Sequence, residues 1–299
     1  MGTEAAGDGT NTTSPVRADS VSSGTRATDE RIVLSHFCIR HATFAERVAA
    51  ASAAGLTEIG LLYRAYDTMR AEGIGPKELQ AVLARHGVWV SELEVLRPWA
   101  TDDRGRAMAA AAEATLFEMA EVFSARYIQV IGPYTGDFDE ATEVFAGLCD
   151  RAASVGLVVG IEFLPFTNIP DAGVALELVT RAGRPNAGVC IDSWHHVRGA
   201  NDWSLLEALP GDKIVAVQLN DGTLAPENPD YLADCLSNRR PPGRGEFDLA
   251  RLVALLRSKG VAAPLSVEVI SDELDRLEPK DAVREIVTAT RTLLERPAR

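Results

Sequence analysis

Long apolar runs are absent from this sequence of 299 residues. No window approaches the ~18 consecutive apolar residues that a membrane-spanning helix needs, so we predict no membrane partner. Residues 1–30 also lack the basic start and continuous apolar stretch of a secretory signal. The four cysteines, Cys38, Cys149, Cys190 and Cys235, show no paired spacing, which is typical of reduced thiols. We therefore expect a cytoplasmic protein.

Basic residues are also scarce. Lys and Arg number 30 against 43 Asp and Glu, which gives a formal net charge of −13. Binding to nucleic acid phosphates needs a concentrated basic surface, so this balance argues against a nucleic-acid partner. A small-molecule ligand fits better, while a homo-oligomer stays an open alternative.

Apolar residues, in contrast, make up 46% of the chain, which is ample for a large core. Residues 1–30 contain no apolar run and are rich in Thr, Ser, Gly and Ala, and such a segment buries too little surface to offset its ordering entropy. We predict a disordered tail over residues 1–30 and one domain over residues 31–299. A parallel α/β barrel of about 250 residues commonly forms a single domain of this size.

The domain contains eight short apolar runs, most of them separated by a stretch with helical periodicity. This alternation predicts a parallel sheet covered by helices. Glycines that follow helical stretches, as expected for left-handed C-terminal residues, are Gly55, Gly87, Gly156, Gly183 and Gly260. Eight repeats without a hairpin signal favour a closed (β/α)₈ TIM barrel, with an open doubly wound sheet as the alternative. The predicted strands are residues 32–37, 58–62, 89–93, 127–131, 157–163, 187–192, 214–219 and 265–270.

Polar side chains occur near the ends of the last four predicted strands: Glu162, Asp192, Gln218 and Glu268. The carboxyl ends of neighbouring barrel strands converge, so three carboxylates would repel one another there unless a cation is bound. Three carboxylates and one amide oxygen form an all-oxygen set that suits Mn²⁺ or Mg²⁺. The alternative is that each acid pairs with an arginine or caps the next helix.

Further residues near strand ends are candidates for the same pocket. His195 follows Asp192 by three residues, and its imidazole is suited to proton transfer near neutral pH. Trp194 is a candidate wall of the pocket or a packing residue, and His36, at the end of the first predicted strand, is a candidate substrate contact or a core histidine. His196 is expected to be structural. Other residues at or after strand ends with unknown orientation are Tyr63, Arg64, Glu94, Trp99 and Tyr134.

The second half of the domain resembles the xylose isomerase-like family of sugar phosphate isomerases and epimerases. The resemblance rests on the order and spacing of the strings Ile161-Glu162-Phe163, Asp192-Ser193-Trp194-His195, Val217-Gln218-Leu219, Arg239-Arg240-Pro241-Pro242-Gly243 and Val267-Glu268-Val269. It implies that Glu162 and Glu268 double as metal ligands and as the acid/base pair that forms an enediolate beside a substrate carbonyl. It also implies that Arg239, or Arg240 beside it, holds a substrate oxygen.

Gln218 departs from this family's pattern, because a histidine usually ends the seventh strand. A glutamine there resembles the 3-dehydroshikimate dehydratase branch. The leading hypothesis is thus a metal-dependent isomerase or epimerase of a sugar-like hydroxy-carbonyl compound, and the second is a metal-dependent dehydratase or lyase. A third hypothesis is that the chain is a non-catalytic ligand-binding barrel or a subunit of a complex.

Overall fold

A computed structural model describes residues 30–97, 99 and 103–296. Within these residues, eight parallel strands pair in sequence order, and the eighth pairs with the first, which closes a barrel. The predicted (β/α)₈ fold is therefore confirmed. The strands are β1 (Ile32–Leu34), β2 (Glu58–Leu62), β3 (Trp89–Leu96), β4 (Tyr127–Ile131), β5 (Val158–Glu162), β6 (Ala187–Asp192), β7 (Ile214–Leu219) and β8 (Leu265–Val267). Residues 1–29 of the predicted disordered tail lie outside the described residues, and Glu30, the last residue of that prediction, pairs with Arg257 at 2.8 Å.

Helices cover the barrel from outside. They are α1 (Phe44–Ala53), α2 (Tyr63–Ala71), α3 (Pro76–His86), α4 (Asp103–Phe123), α5 (Phe138–Ser154), α6 (Ala172–Ala182), α7 (Ser193–Arg198), α8 (Trp203–Ala208), α9 (Tyr231–Cys235), α10 (Leu249–Ser258) and α11 (Pro279–Leu294). Thr43 begins α1 with a reciprocal capping box to Glu46. All five glycines predicted to follow helices have positive φ angles. No described helix is long and apolar enough to cross a membrane.

The barrel interior is unusually polar. Ser266 on β8 donates to Glu92 on β3 at 2.7 Å, and these strands are not neighbours, so this bond crosses the interior. Gln129 on β4 and Gln218 on β7 likewise contact each other across the barrel at 3.3 Å. Apolar side chains between strands and helices form the main core instead. The interior layers therefore carry hydrogen-bonding groups up to the mouth.

Candidate active site

The structure brings the four predicted ligands to the C-terminal mouth of the barrel. Glu162 and Asp192 are the last residues of β5 and β6, Gln218 is next to last in β7, and Glu268 follows β8 directly. None of the four is more than 4% exposed. This is the face at which TIM barrels build their catalytic sites.

Arg239 is a buried cation between two of these carboxylates. Its Nη1 donates to Asp192 Oδ2 at 2.8 Å and to Glu268 Oε2 at 2.9 Å. Burial works to raise the pKa of Asp192, but the Arg239 charge and other contacts hold that pKa below its ordinary value. Burial raises the pKa of Glu268 well above its ordinary value, and the Asp192 charge adds to this shift although Arg239 opposes it. The two carboxyl groups therefore differ strongly in proton affinity.

His195 lies on α7 beside the same carboxylates. Its Nε2 is 3.3 Å from Glu162 Oε1 and 3.5 Å from Asp192 Oδ2. Asp192 also caps α7, since its Oδ1 accepts from Trp194 N at 2.7 Å. The three donor groups of Glu162, Asp192 and His195 lie within 4.8 Å of one another and are buried. His195 is thus as well placed to ligate a cation as to transfer a proton.

Gln218 occupies the space between Glu268 and a second glutamine, Gln129. The Gln218 Nε2 donates to Glu268 Oε1 at 3.0 Å and to Gln129 Oε1 at 3.3 Å. Gln129 Nε2 in turn donates to Glu162 Oε2. In this arrangement Gln218 presents its nitrogen to the carboxylates, and a half-turn of the amide would present Oε1. The side-chain amides of Gln129 and Gln218 thus link Glu162 to Glu268, the predicted acid/base pair.

Glu94 and Ser35 extend the network towards β1. Ser35 Oγ lies 3.3 Å from Glu268 Oε1 and 3.4 Å from Glu94 Oε2. The main-chain N of His36 donates to Glu94 Oε1 at 3.0 Å. The His36 Nδ1 is buried and has no hydrogen-bond partner among the described residues, and burial lowers its pKa to about 3. His36 therefore joins the network through its main chain.

The two adjacent arginines predicted to hold substrate have different environments. Arg239 is 2% exposed and enters the site. Arg240 pairs with Glu227 at 2.7 Å, and its side chain is 40% exposed. Trp194 is fully buried, with its ring centroid 5.5 Å from the Arg239 guanidinium, so it packs beneath the site. His196 packs edge-on against Trp203, in agreement with its structural role.

The long connection after β7 carries Arg239 into the site. Asp221 joins the two ends of this connection, because its carboxylate accepts from Gly222 N at 2.8 Å, Gly243 N at 2.9 Å and Phe247 N at 3.0 Å. Arg239 N donates to Ile270 O at 3.1 Å, which fixes the backbone beside the segment after β8. Hydrogen bonds of the main chain on both sides of Arg239 thus fix the backbone from which its side chain enters the site.

Comparison with known proteins agrees with this arrangement. Residues 48–293 match the profile of the Xylose isomerase-like TIM barrel family. The chain belongs to this family. The similar proteins found bear the names of a dehydratase, an isomerase and an epimerase, which points to an enzyme of this family.

Two sets of curated relatives are similar over part of this xylose isomerase-like chain. A 3-dehydroshikimate dehydratase of Pseudomonas aeruginosa is 37% identical over 126 residues, covering 42% of this chain and 20% of that protein. An inosose isomerase of Halalkalibacterium halodurans is 31% identical over 155 residues, covering 51% of this chain and 52% of that protein. The matches therefore span a fifth to about half of the relatives' length.

Solved structures show the same fold at lower identity. The IOLI protein with a zinc atom has a TM-score of 0.79 at 18% identity, covering 88% of this chain and 98% of that one. The probable 3-DHS dehydratase AsbF of Bacillus anthracis has a TM-score of 0.67 at 16% identity, covering 87% of this chain and 98% of that one. The zinc-bound neighbour and the buried Glu162, Asp192 and His195 together suggest a divalent-metal site.

The donor set of this xylose isomerase-like barrel fits a divalent cation. Three buried carboxylates, Glu162, Asp192 and Glu268, surround the mouth, and a guanidinium already contacts two of them. A buried carboxylate is costly without a positive partner, so the site attracts cations. Carboxylate and amide oxygens favour Mg²⁺ or Mn²⁺, whereas participation of His195 would also admit Zn²⁺.

Three residues that contact the candidate site were not predicted from the sequence pattern: Ser35, Gln129 and Tyr231, whose Oη lies 2.7 Å from His195 Nδ1. Gln129 carried the clearest signal, because it is an uncharged polar residue within the apolar run Tyr127-Ile128-Gln129-Val130-Ile131. Ser35 follows β1 as an ordinary small polar residue. Tyr231 belongs to a five-residue helix in a long connection, and no periodicity marks it.

Proposed function

We propose that this chain is a divalent-metal-dependent isomerase or epimerase of a sugar-like hydroxy-carbonyl compound. The proposal rests on the chain of hydrogen bonds that links Glu162 to Glu268 through Gln129 and Gln218. The two carboxyl groups lie at the ends of strands three positions apart in the barrel. Two buried carboxyl groups held on different strands are suited to remove a proton from one substrate carbon and to return it elsewhere.

Glu162, Asp192, Gln218 and Glu268 would hold the cation, with His195 as a further donor. A divalent cation supplies Lewis-acid polarisation of a substrate oxygen and stabilises the charge of an enediolate. Arg239 would orient a substrate oxygen while it neutralises Asp192 and Glu268. Mn²⁺ and Mg²⁺ are the metals that we propose.

Dehydration is the second candidate reaction, and one residue favours it. Gln218 replaces the histidine that is usual in this family, and the dehydratase of Pseudomonas aeruginosa is the more similar of the two curated relatives described. Dehydration begins with the same removal of a proton beside a carbonyl and then expels a neighbouring hydroxyl. The ligands and base would therefore be shared by both reactions, and the product distinguishes them.

The test uses full-length protein, cleared of metal with EDTA and reloaded with Mn²⁺, Mg²⁺ or Zn²⁺. Ketohexoses, keto-inositols and 3-dehydroshikimate are incubated in D₂O, and products are analysed by mass spectrometry and NMR. Isomerisation or epimerisation gives a product with deuterium on carbon and all oxygens retained. Dehydration gives a product that lacks one water.

The carboxyl pair is tested with Glu162→Gln and Glu268→Gln. Loss of a general acid or base lowers turnover by about 10²–10⁴-fold, so we expect kcat to fall at least 100-fold in each variant. Glu207→Gln is the matched control, because Glu207 lies outside the site and pairs with Arg251. Survival of full turnover in either site variant would contradict the assignment.

A further inference from the structure

Helix α9 contacts the site through a tyrosine that is hydrogen-bonded to His195. Tyr231 Oη lies 2.7 Å from His195 Nδ1, and the two rings are nearly parallel, with an interplanar angle of 16°. Phe166 packs against Tyr231 with a centroid distance of 5.2 Å. The tyrosine ring is therefore held by an aromatic neighbour and by a hydrogen bond to the histidine.

The helices that carry these two rings are also joined by a buried ion pair. Asp234 of α9 lies 3.0 Å from Arg198 Nε, and Arg198 is the last residue of α7, the helix that carries His195. Both side chains are at most 5% exposed. Asp234 also accepts from Asn238 Nδ2 at 2.9 Å, so α9 is fixed to the segment that leads to Arg239. The position of Tyr231 relative to His195 is thus set by two independent contacts.

The hydrogen bond between Tyr231 and Nδ1 determines which ring nitrogen of His195 faces the site. Only Nε2 then faces the carboxylates, at 3.3 Å from Glu162 and 3.5 Å from Asp192. A hydroxyl either donates or accepts, so Tyr231 supports both useful states of the ring. It accepts from Nδ1–H when Nε2 offers a lone pair, and it donates to Nδ1 when Nε2–H donates to an oxygen.

We propose that Tyr231 is a positioning residue whose hydroxyl and ring hold His195 with Nε2 directed at Glu162 and Asp192. The importance of this contact for catalysis rests on the proposed function, but the contact itself does not. Tyr231→Phe removes the hydroxyl and keeps the ring that packs against Phe166, so it isolates the hydrogen bond. The matched control is Tyr66→Phe, because Tyr66 Oη also makes one hydrogen bond, to Glu118 at 2.8 Å, on the outer helices.

The first readout needs neither metal nor substrate. The chain has five histidines, so the His195 ring nitrogens can be assigned in long-range ¹H–¹⁵N spectra with a His195→Gln variant. In the metal-free protein Nε2–H faces carboxylate acceptors and the Tyr231 hydroxyl donates to Nδ1, so we expect one dominant tautomer in the parent and in Tyr66→Phe, with distinct Nδ1 and Nε2 shifts. In Tyr231→Phe the two shifts should move towards their average. Identical His195 shifts in Tyr231→Phe and the parent would overturn the proposal.

The second readout is the affinity for Co²⁺, measured by calorimetry and visible absorption of the metal-free protein. Residues that orient a metal-site histidine typically contribute 10–100-fold to metal affinity or activity. We therefore expect Tyr231→Phe to weaken Co²⁺ binding or lower kcat about 10-fold, with KM within about twofold, and Tyr66→Phe to change neither. If the parent protein is inactive on every carbonyl substrate, the proposed function alone is refuted. If the parent is active and Tyr231→Phe has the same spectra, Co²⁺ affinity and kcat, only the role of Tyr231 is refuted.

Discussion

Glu92 illustrates how a single buried carboxyl affects the stability of this barrel. It lies inside the barrel below the site, 5% exposed, and accepts from Ser266 Oγ at 2.7 Å. Burial and the nearby Glu94 charge raise its pKa from 4.5 to about 8. The folded protein therefore holds the Glu92 proton more tightly than the unfolded chain does.

The substitution Glu92→Gln should remove a pH dependence from the free energy of unfolding. Because the folded pKa is raised, the contribution of protonated Glu92 is fully present below about pH 4.5 and is lost as pH rises through about 8. The stability of the variant relative to the parent should thus grow by up to about 1.4 kcal/mol per pH unit in that window. Urea unfolding at pH 5, 6, 7 and 8 measures this difference, and parallel curves would contradict the assigned pKa.

Sequence patterns predicted the polar residues at the strand ends but not the residues that contact them. Glu162, Asp192 and Glu268 interrupt apolar runs, and that local contrast identifies them. The contact between Glu162 and Gln129 depends on how the barrel closes, and the contact between His195 and Tyr231 depends on how a long connection folds. Arg239 and Arg240 are adjacent in sequence, and only tertiary structure separates the buried guanidinium from the exposed one.

Strands β4 and β5 show how the interior accommodates a large ring. A Cβ atom added at Gly160 would lie 2.6 Å from Tyr127 Cε2, so the Tyr127 ring occupies the space above Gly160. Gly160→Ala should lower the free energy of unfolding by about 1–3 kcal/mol, as overpacking does. Gly147→Ala in α5 is the control, and its better helix propensity should stabilise the protein by less than about 1 kcal/mol.

The paired substitution Gly160→Ala with Tyr127→Leu tests the origin of that effect. The shorter leucine leaves room for the new methyl group, so the double variant should be more stable than the sum of the two single changes predicts. Urea unfolding of the four proteins gives the coupling energy, which we expect to exceed about 0.5 kcal/mol. Strict additivity would mean that Tyr127 is not what Gly160 accommodates.

The sequence also predicted most elements within a few residues, since all eight strands lie at the expected places. The predicted eighth strand, residues 265–270, ends earlier, at Val267, so Glu268 lies just beyond it. The helical periodicity of the sequence predicts seven of the helices, whereas α2, α7, α8 and α9 lie outside the periodic stretches, which are residues 43–54, 76–86, 104–124, 139–154, 172–182, 248–259 and 280–294. Three of these four helices have only five or six residues, too few for a helical period to be visible.

A large cavity of this molecule lies apart from its candidate chemistry. A cavity of about 930 Å³ opens at the N-terminal face, lined by residues that begin strands, including Trp89, Tyr127, Val158 and Ile214. None of the predicted site residues lines it. Asp192, Arg239 and Glu268, whose charges shift one another's pKa values, lie at the opposite mouth, and in TIM barrels that mouth is where catalysis occurs. Cavity size alone would therefore misplace the site.

A cation at the mouth should stabilise the whole barrel, because it binds the folded chain and the unfolded chain does not assemble the ligands. Binding at 100 times Kd adds about 2.7 kcal/mol to the free energy of unfolding. Metal-free protein titrated with Mn²⁺ should show a rising Tm in calorimetry, and EDTA should reverse it. Asp192→Asn removes a proposed ligand and should abolish most of the increase, whereas Glu207→Gln should preserve it.

The effect of Mn²⁺ on stability should depend on Arg239, whose guanidinium contacts two of the proposed ligands. Its guanidinium bridges Asp192 and Glu268, so Arg239→Met leaves buried carboxylates without their cation. The metal-free variant should lose about 3–5 kcal/mol of stability, the usual effect of removing one partner of a buried ion pair. Because Mn²⁺ supplies the missing positive charge, it should raise the Tm of Arg239→Met more than that of the parent. An equal Mn²⁺ effect on both proteins would show that the cation and Arg239 do not share these carboxylates.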